Sequence, residues 1–176
     1  MKNGLIHVYT GEGKGKTTAA IGQGIRCIGH GNYVYMIQFL KKSNSGEIEV
    51  FKKLKPFFEV YKFEKERGFF WNLSEEEIMQ LKDDIRNAWN FITNIIRNKT
   101  YDMIILDEIM AVLNNNLLDI DEVFDVLNNK HEDIEIILTG RNSPKKIMDI
   151  ASYVSSINSI KHPFEKDIKA RCGIEF

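Results

Sequence analysis

Short β-rich apolar runs alternate along the chain with stretches whose apolar residues recur every three to four positions, and turn residues punctuate the joins. The runs Leu5 to Thr10, Tyr33 to Phe39, Phe58 to Phe63, Met103 to Leu106, Ile134 to Thr139 and Tyr153 to Ile157 have the length and composition of strands. Strand then helix, repeated, predicts an α/β fold: a mostly parallel sheet of about six strands with helices on both faces. The clearest helix follows Ser74. Ser74 and Glu77 match a capping box, and Ile78, Leu81, Ile85, Ala88, Trp89, Ile92, Ile95 and Ile96 form one stripe that must face a core. Further helices are expected over Lys16 to Ile28, over Ile120 to Asn128 with Asp119 as N-cap, and over Pro144 to Ile150 with Ser143 as N-cap and Pro144 in the first position. Segments 41–47 and 64–73 are expected to be mobile loops, and Asn114, Asn115 and Asn116 a connection. No repeat or compositional break divides the chain, so residues 1–176 are expected to form a single domain.

Composition narrows the class. With 24 Lys+Arg against 25 Asp+Glu the net charge is −1, and 43% of residues are hydrophobic. Such a chain can bury a core and lacks the basic excess of a general nucleic-acid or membrane-surface binder. No segment approaches the roughly 20 apolar residues that span a bilayer, and the start is no signal peptide. Cys27 and Cys172 are too few for a disulfide scaffold and show no metal-ligand spacing, so reduced thiols are expected. The expectation is a soluble, cytoplasmic protein with no nucleic-acid and no membrane partner.

The chemistry is concentrated after the first apolar run. Thr10, Gly11, Glu12, Gly13, Lys14, Gly15, Lys16, Thr17 and Thr18 lie between a strand and a helix, the context of a phosphate-binding P-loop as in NTPases. Glycines let backbone N–H groups converge on phosphate oxygens, the helix N-terminus adds its dipole, Lys16 supplies a point charge and Thr17 a hydroxyl for Mg²⁺. The spacing is one residue short: Thr10 stands where the pattern has its first glycine. A second apolar run ends in Asp107 and Glu108, carboxylates at a strand end that can reach a divalent cation held on the neighbouring loop. A nucleoside triphosphate is therefore the expected ligand, with Thr17, Asp107 and Glu108 on the metal side.

The shifted loop, Arg26 with Gly29 and Gly31 behind it, Gln38-Phe39, Gly68-Phe69-Phe70-Trp71, Leu106-Asp107-Glu108, Leu138-Thr139-Gly140-Arg141 with Pro144, and the ending Lys161-His162-Pro163-Phe164 through Gly173-Ile174-Glu175-Phe176 resemble the ATP:corrinoid adenosyltransferase family from end to end. Two positions depart: Lys42 and Asp167 stand where the family tends to have glycine. The chain starts almost at its first strand, so the N-terminal extension that many members fold over a partner's site is expected to be missing or cut to Met1–Gly4. The resemblance implies transfer of the 5′-deoxyadenosyl group of ATP to the Co(I) of a reduced corrinoid, with release of triphosphate. It implies Lys16, Thr17 and Glu108 as the catalytic set, Mg²⁺ or Mn²⁺ as the metal, and Arg26 and Arg141 as nucleotide-side cations. Phe69 and Trp71 match the aromatic loop that presses on the corrin's lower face. A homodimer and an electron-donating reductase are implied partners, whereas His162 is expected to be structural. The competing reading is a P-loop ATPase or kinase in which Glu108 activates water or a hydroxyl for attack on the γ-phosphate. A third is a nucleotide-gated binding module without chemistry.

Overall fold

Alternate residues of each apolar run part to opposite faces of one sheet, as the two-residue period of a strand requires. The computed structural model describes residues 2–41, 46–63 and 70–174. Six strands, β1 (Ile6–Thr10), β2 (Val34–Gln38), β3 (Phe58–Tyr61), β4 (Met103–Asp107), β5 (Glu135–Thr139) and β6 (Tyr153–Ser156), lie in the order β3-β2-β4-β5-β1-β6, every pair parallel. The α/β prediction holds. The helices are α1 (Lys16–Ile28), α2 (Glu47–Leu54), α3 (Glu75–Asn98), α4 (Ile109–Asn114), α5 (Ile120–Asn128) and α6 (Lys145–Ile150). Val34, Met36, Phe58, Met103, Ile105 and Ile137 pack against Ala20 and Cys27 of α1 and Phe51 of α2. Tyr35, Ile37, Ile104, Leu106, Ile136 and Leu138 face the other way, onto the predicted stripe of α3 and onto α4, α5 and α6.

The capping box at the start of α3 is formed: Ser74 N donates to Glu77 Oε2 at 2.8 Å and Glu77 N to Ser74 Oγ at 3.3 Å. Asp119 caps α5 as expected, its Oδ1 accepting from Asp121 N and Glu122 N. At α6 the expectation needs correction. Pro144, extended at φ −60° and ψ 139°, is itself the cap residue, the helix starts at Lys145, and the buried Ser143 Oγ has no hydrogen-bond partner. Two helices, α2 and α4, occupy stretches for which the pattern predicts none. The segment 41–47 therefore ends in the first residue of a helix, with 42–45 outside the described residues. The expected loop 64–73 contains a 3₁₀ turn over Phe70–Asn72, with 64–69 outside the described residues.

The two cysteines are free thiols, Cys27 buried and Cys172 exposed, and burial pushes the Cys27 thiol up to about 11. Among the described residues no helix is long and apolar enough to cross a membrane. Loops carrying residues 10–18, 38–41, 107–108 and 139–141 all leave the sheet at the carboxyl ends of β1, β2, β4 and β5. That edge is where ligands of open parallel sheets bind.

Candidate active site

Strand β1 delivers the chain into the glycine loop, and α1 leaves it. Gly11 (φ 98°) presses against the segment that follows β6: a Cβ there would stand 2.5 Å from the Ile157 carbonyl oxygen, so no side chain fits. Ile157 N donates to Thr10 O at 2.8 Å and Gly13 N donates to Ile157 O at 2.7 Å, which pins the loop from behind. Gly15 (φ 120°) caps α1, and a Cβ built there meets nothing within 4 Å. The loop is therefore braced on one side and open on the other. Lys16 is buried, and its Nζ donates to the carbonyls of Gly11 at 2.7 Å and Gly13 at 2.9 Å. Burial pulls this ammonium down from its ordinary value, with Glu108 opposing the shift.

Thr17 and the end of β4 meet under the loop. Thr17 Oγ1 donates to Asp107 Oδ1 at 2.8 Å, and Thr139 Oγ1 donates to the same oxygen at 2.7 Å. Because β5 lies between β4 and β1, Thr139 stands one step beyond the Leu106 to Leu138 register and so flanks Asp107. Thr139 also accepts from Glu108 N at 2.9 Å, which anchors Glu108 in a left-handed conformation (φ 62°) at the head of α4. Asp107 is fully buried, and its Oδ2 has no hydrogen-bond partner. Lys41 Nζ stands 3.6 Å from that oxygen and 3.1 Å from Glu47 Oε1. Burial pushes the Glu108 carboxyl above the usual carboxylate range, the Asp107 charge adds to this, and Lys16, Arg141 and Lys41 pull it back.

These groups surround a cleft of about 830 Å³, lined by residues 12–18, Lys41, Glu47, Glu108 and Arg141, and closed on another side by His162, Gly173 and Ile174. A volume of this order suits a nucleotide-sized ligand. Arg141 and Glu12 pair across the rim at 2.9 Å, both exposed. His162 Nδ1 accepts from Phe164 N at 3.2 Å, so the ring caps the turn Pro163–Lys166, as a structural histidine would, and also faces the cleft.

The sequence matches the family model for ATP:corrinoid adenosyltransferase BtuR/CobO/CobP over residues 2–176. The chain belongs to this family. Curated relatives include a corrinoid adenosyltransferase of Escherichia coli (strain K12), 32% identical over 99% of this chain and 87% of the relative. Another is the corrinoid adenosyltransferase CobA of Salmonella typhimurium (strain LT2), with the same identity and coverage. A corrinoid adenosyltransferase of Sinorhizobium sp. is 35% identical over 99% of this chain and 81% of the relative.

Within this adenosyltransferase the structure brings Glu12, Gly13, Lys14, Gly15, Lys16, Thr17, Thr18, Glu108 and Arg141 into one cleft, with Asp107 buried beneath it and Thr10 and Gly11 forming its rear support. Arg26 is not brought there. It lies exposed in the last turn of α1, nearly three helical turns beyond Lys16, about 15 Å along the axis. Phe69 lies outside the described residues, as does the side chain of Trp71. Lys41, Glu47, Thr139 and the C-terminal wall also belong to the site; the sequence assigned none of them a role there, and Thr139 and the wall stood only within family motifs.

The donor set fits a small hard divalent cation. Among the described residues no group of three or more His, Cys, Asp or Glu could hold a metal. Mg²⁺ needs no such cage, because it is held by one or two carboxylates together with substrate phosphates. Asp107 Oδ2, which accepts no hydrogen bond, and a Thr17 hydroxyl whose proton is committed to Asp107 and whose lone pairs remain, are what such an ion uses.

Proposed function

We propose that this enzyme displaces triphosphate from ATP by attack of a corrinoid Co(I) centre on C5′, forming a cobalt–carbon bond. The observation that supports the reading is the braced phosphate loop: Lys16, the open face of Gly15 and Thr17 on Asp107 converge on one cleft, in a chain matched end to end by the adenosyltransferase model. The reaction asks little acid–base chemistry of the protein. Co(I) is an unprotonated nucleophile, so the tasks are holding C5′ in line and stabilising the charge that gathers on the leaving triphosphate.

Lys16 exchanges its two loop carbonyls for phosphate oxygens, and the loop amides and the N-terminus of α1 add partial positive charge. Thr17, Asp107 and Glu108 hold Mg²⁺ or Mn²⁺, directly or through water. Bound there, the ion neutralises phosphate charge in the leaving group. Arg141 reaches the phosphates from the rim once it releases Glu12. Phe69 and Trp71 act on the corrin's lower face and ease the reduction of cobalt by an electron-donating reductase. A homodimer acting in the cytoplasm completes the reading.

One observation favours a second reading. The raised carboxyl of Glu108 suits a base that activates water, as in a P-loop ATPase or kinase. The test is incubation with ATP, Mg²⁺ and chemically reduced cobalamin, following the visible spectrum and identifying the phosphate product. An alkylated corrinoid with intact triphosphate supports adenosyl transfer. Orthophosphate with no change in the corrinoid spectrum rejects it in favour of the second reading, and ATP binding without turnover rejects both in favour of a binding module.

A further inference from the structure

Beneath the cleft, three buried polar atoms have no hydrogen-bond partner: Asp107 Oδ2 and both amide atoms of Gln38, Oε1 and Nε2. Gln38 is 1% exposed and Asp107 is fully buried, so bulk water does not serve them. They are neighbours. Gln38 ends β2 and stands in register with Asp107 across the β2–β4 pair, where strands run about 4.8 Å apart. Residues two and four back in each strand, Met36 and Val34, Ile105 and Met103, all pack on the α1 side. Alternation therefore turns Gln38 and Asp107 to that same side, toward Thr17, which donates to Asp107. An orphaned buried amide is destabilising in general and persists where something polar answers it. An apolar residue would continue the pattern of Val34 and Met36 without that cost.

We infer that Gln38 is a positioning residue of the metal site: its amide, beside Asp107 Oδ2, receives the water shell of the divalent cation that Thr17 and the triphosphate hold. Gln38 does not line the cleft, so it acts on that water and not on the nucleotide. An amide suits the task because it offers a donor and an acceptor together without adding a second buried charge beside Asp107. The inference rests on the nucleotide and metal part of the proposed function and is independent of the corrinoid step.

The test measures Mn²⁺ binding by electron paramagnetic resonance on the full chain with saturating ATP and no corrinoid, together with the melting temperature without metal. Gln38→Met keeps the length and removes the polar atoms. Mn²⁺ affinity is expected to fall about tenfold or more, the usual scale for partners one layer out from a metal, while the metal-free melting temperature holds or rises. Gln38→Glu retains an acceptor in place and is expected to lose less Mn²⁺ affinity than Gln38→Met. Unchanged Mn²⁺ affinity in Gln38→Met overturns the inference, as does equal loss in both variants. Wild-type protein that binds no Mn²⁺ beyond what ATP alone binds also overturns it, whereas failure of adenosyl transfer with intact Mn²⁺ binding rejects only the corrinoid step.

Discussion

Replacing Thr139 by Val is the sharpest probe of how the site is built, because one hydroxyl serves two partners and the substitution barely changes volume. The hydroxyl donates to Asp107 Oδ1 and accepts from Glu108 N. Thr139 is fully buried, so no solvent replaces it. A hydrogen bond to a charged acceptor contributes about 1.5–3 kcal/mol, and a buried donor left unpaired costs about 1–3 kcal/mol. The two effects share one group and a strained neighbour, Glu108 at φ 62°, so they do not simply add, and the expected loss is about 2–4 kcal/mol. For a chain of 176 residues that is a fall in melting temperature of about 4–16 °C. Calorimetry and urea unfolding measure it. Thr139→Ser keeps the hydroxyl and loses one methyl, about 1 kcal/mol. If Thr139→Val unfolds within about 0.5 kcal/mol of wild type, or no lower than Thr139→Ser, the hydroxyl is not the strut described above.

Three further outcomes are expected. Lys16→Ala lowers adenosyl transfer at least ~10²-fold while circular dichroism shows a folded chain; full activity would remove the loop as the ATP site. Glu135 is the pH probe: burial raises its carboxyl, but the hydrogen bonds from His7 and from Leu5 N outweigh burial and leave it below its ordinary value. It therefore stabilises the fold above the usual carboxylate range and ceases to do so as pH falls through its lowered value. Glu135→Gln should melt below wild type at pH 7, with the gap closing in acid, and a gap constant with pH would contradict this. Finally, Trp71→Ala or Phe69→Ala should slow the reaction that starts from cob(II) with a mild reductant far more than the one given preformed cob(I). Equal loss in the two assays, with a lowered melting temperature, would leave these aromatics as packing residues.

Helix α1 and the capped starts of α3 and α5 were legible because their signals are local: an N-cap side chain, a glycine loop, a 3.6-residue stripe. Helix α4 was not, since Ile109, Met110, Val112 and Leu113 are all buried and a stretch apolar on every side has no period. Helix α2 buries only Phe51, too little to mark a face. Ser143 failed as a cap because Pro144 itself took the extended conformation there, leaving the hydroxyl without its target. The phosphate loop and Asp107 with Glu108 could be read from strand ends. Thr139 could not, because its role depends on β5 lying beside β4, an ordering that no local pattern carries. The placement of Gln38 and Lys41 beside Asp107 was illegible for the same reason, since it depends on β2 being the other neighbour of β4.

The hydrogen bonds that tie Thr10 and Gly13 to Ile157 also set the order in which the molecule can become competent. The glycine loop leaves the ribosome long before its rear support and the strand beside it, β6 on β1. A nascent chain that already holds the glycine loop thus carries it unfinished until β6 arrives. Contacts this distant in sequence form late and slowly. Nucleotide capture therefore waits on β6 and the residue after it, and protection of the loop from protease by ATP should switch on only once residues beyond Ile157 have emerged.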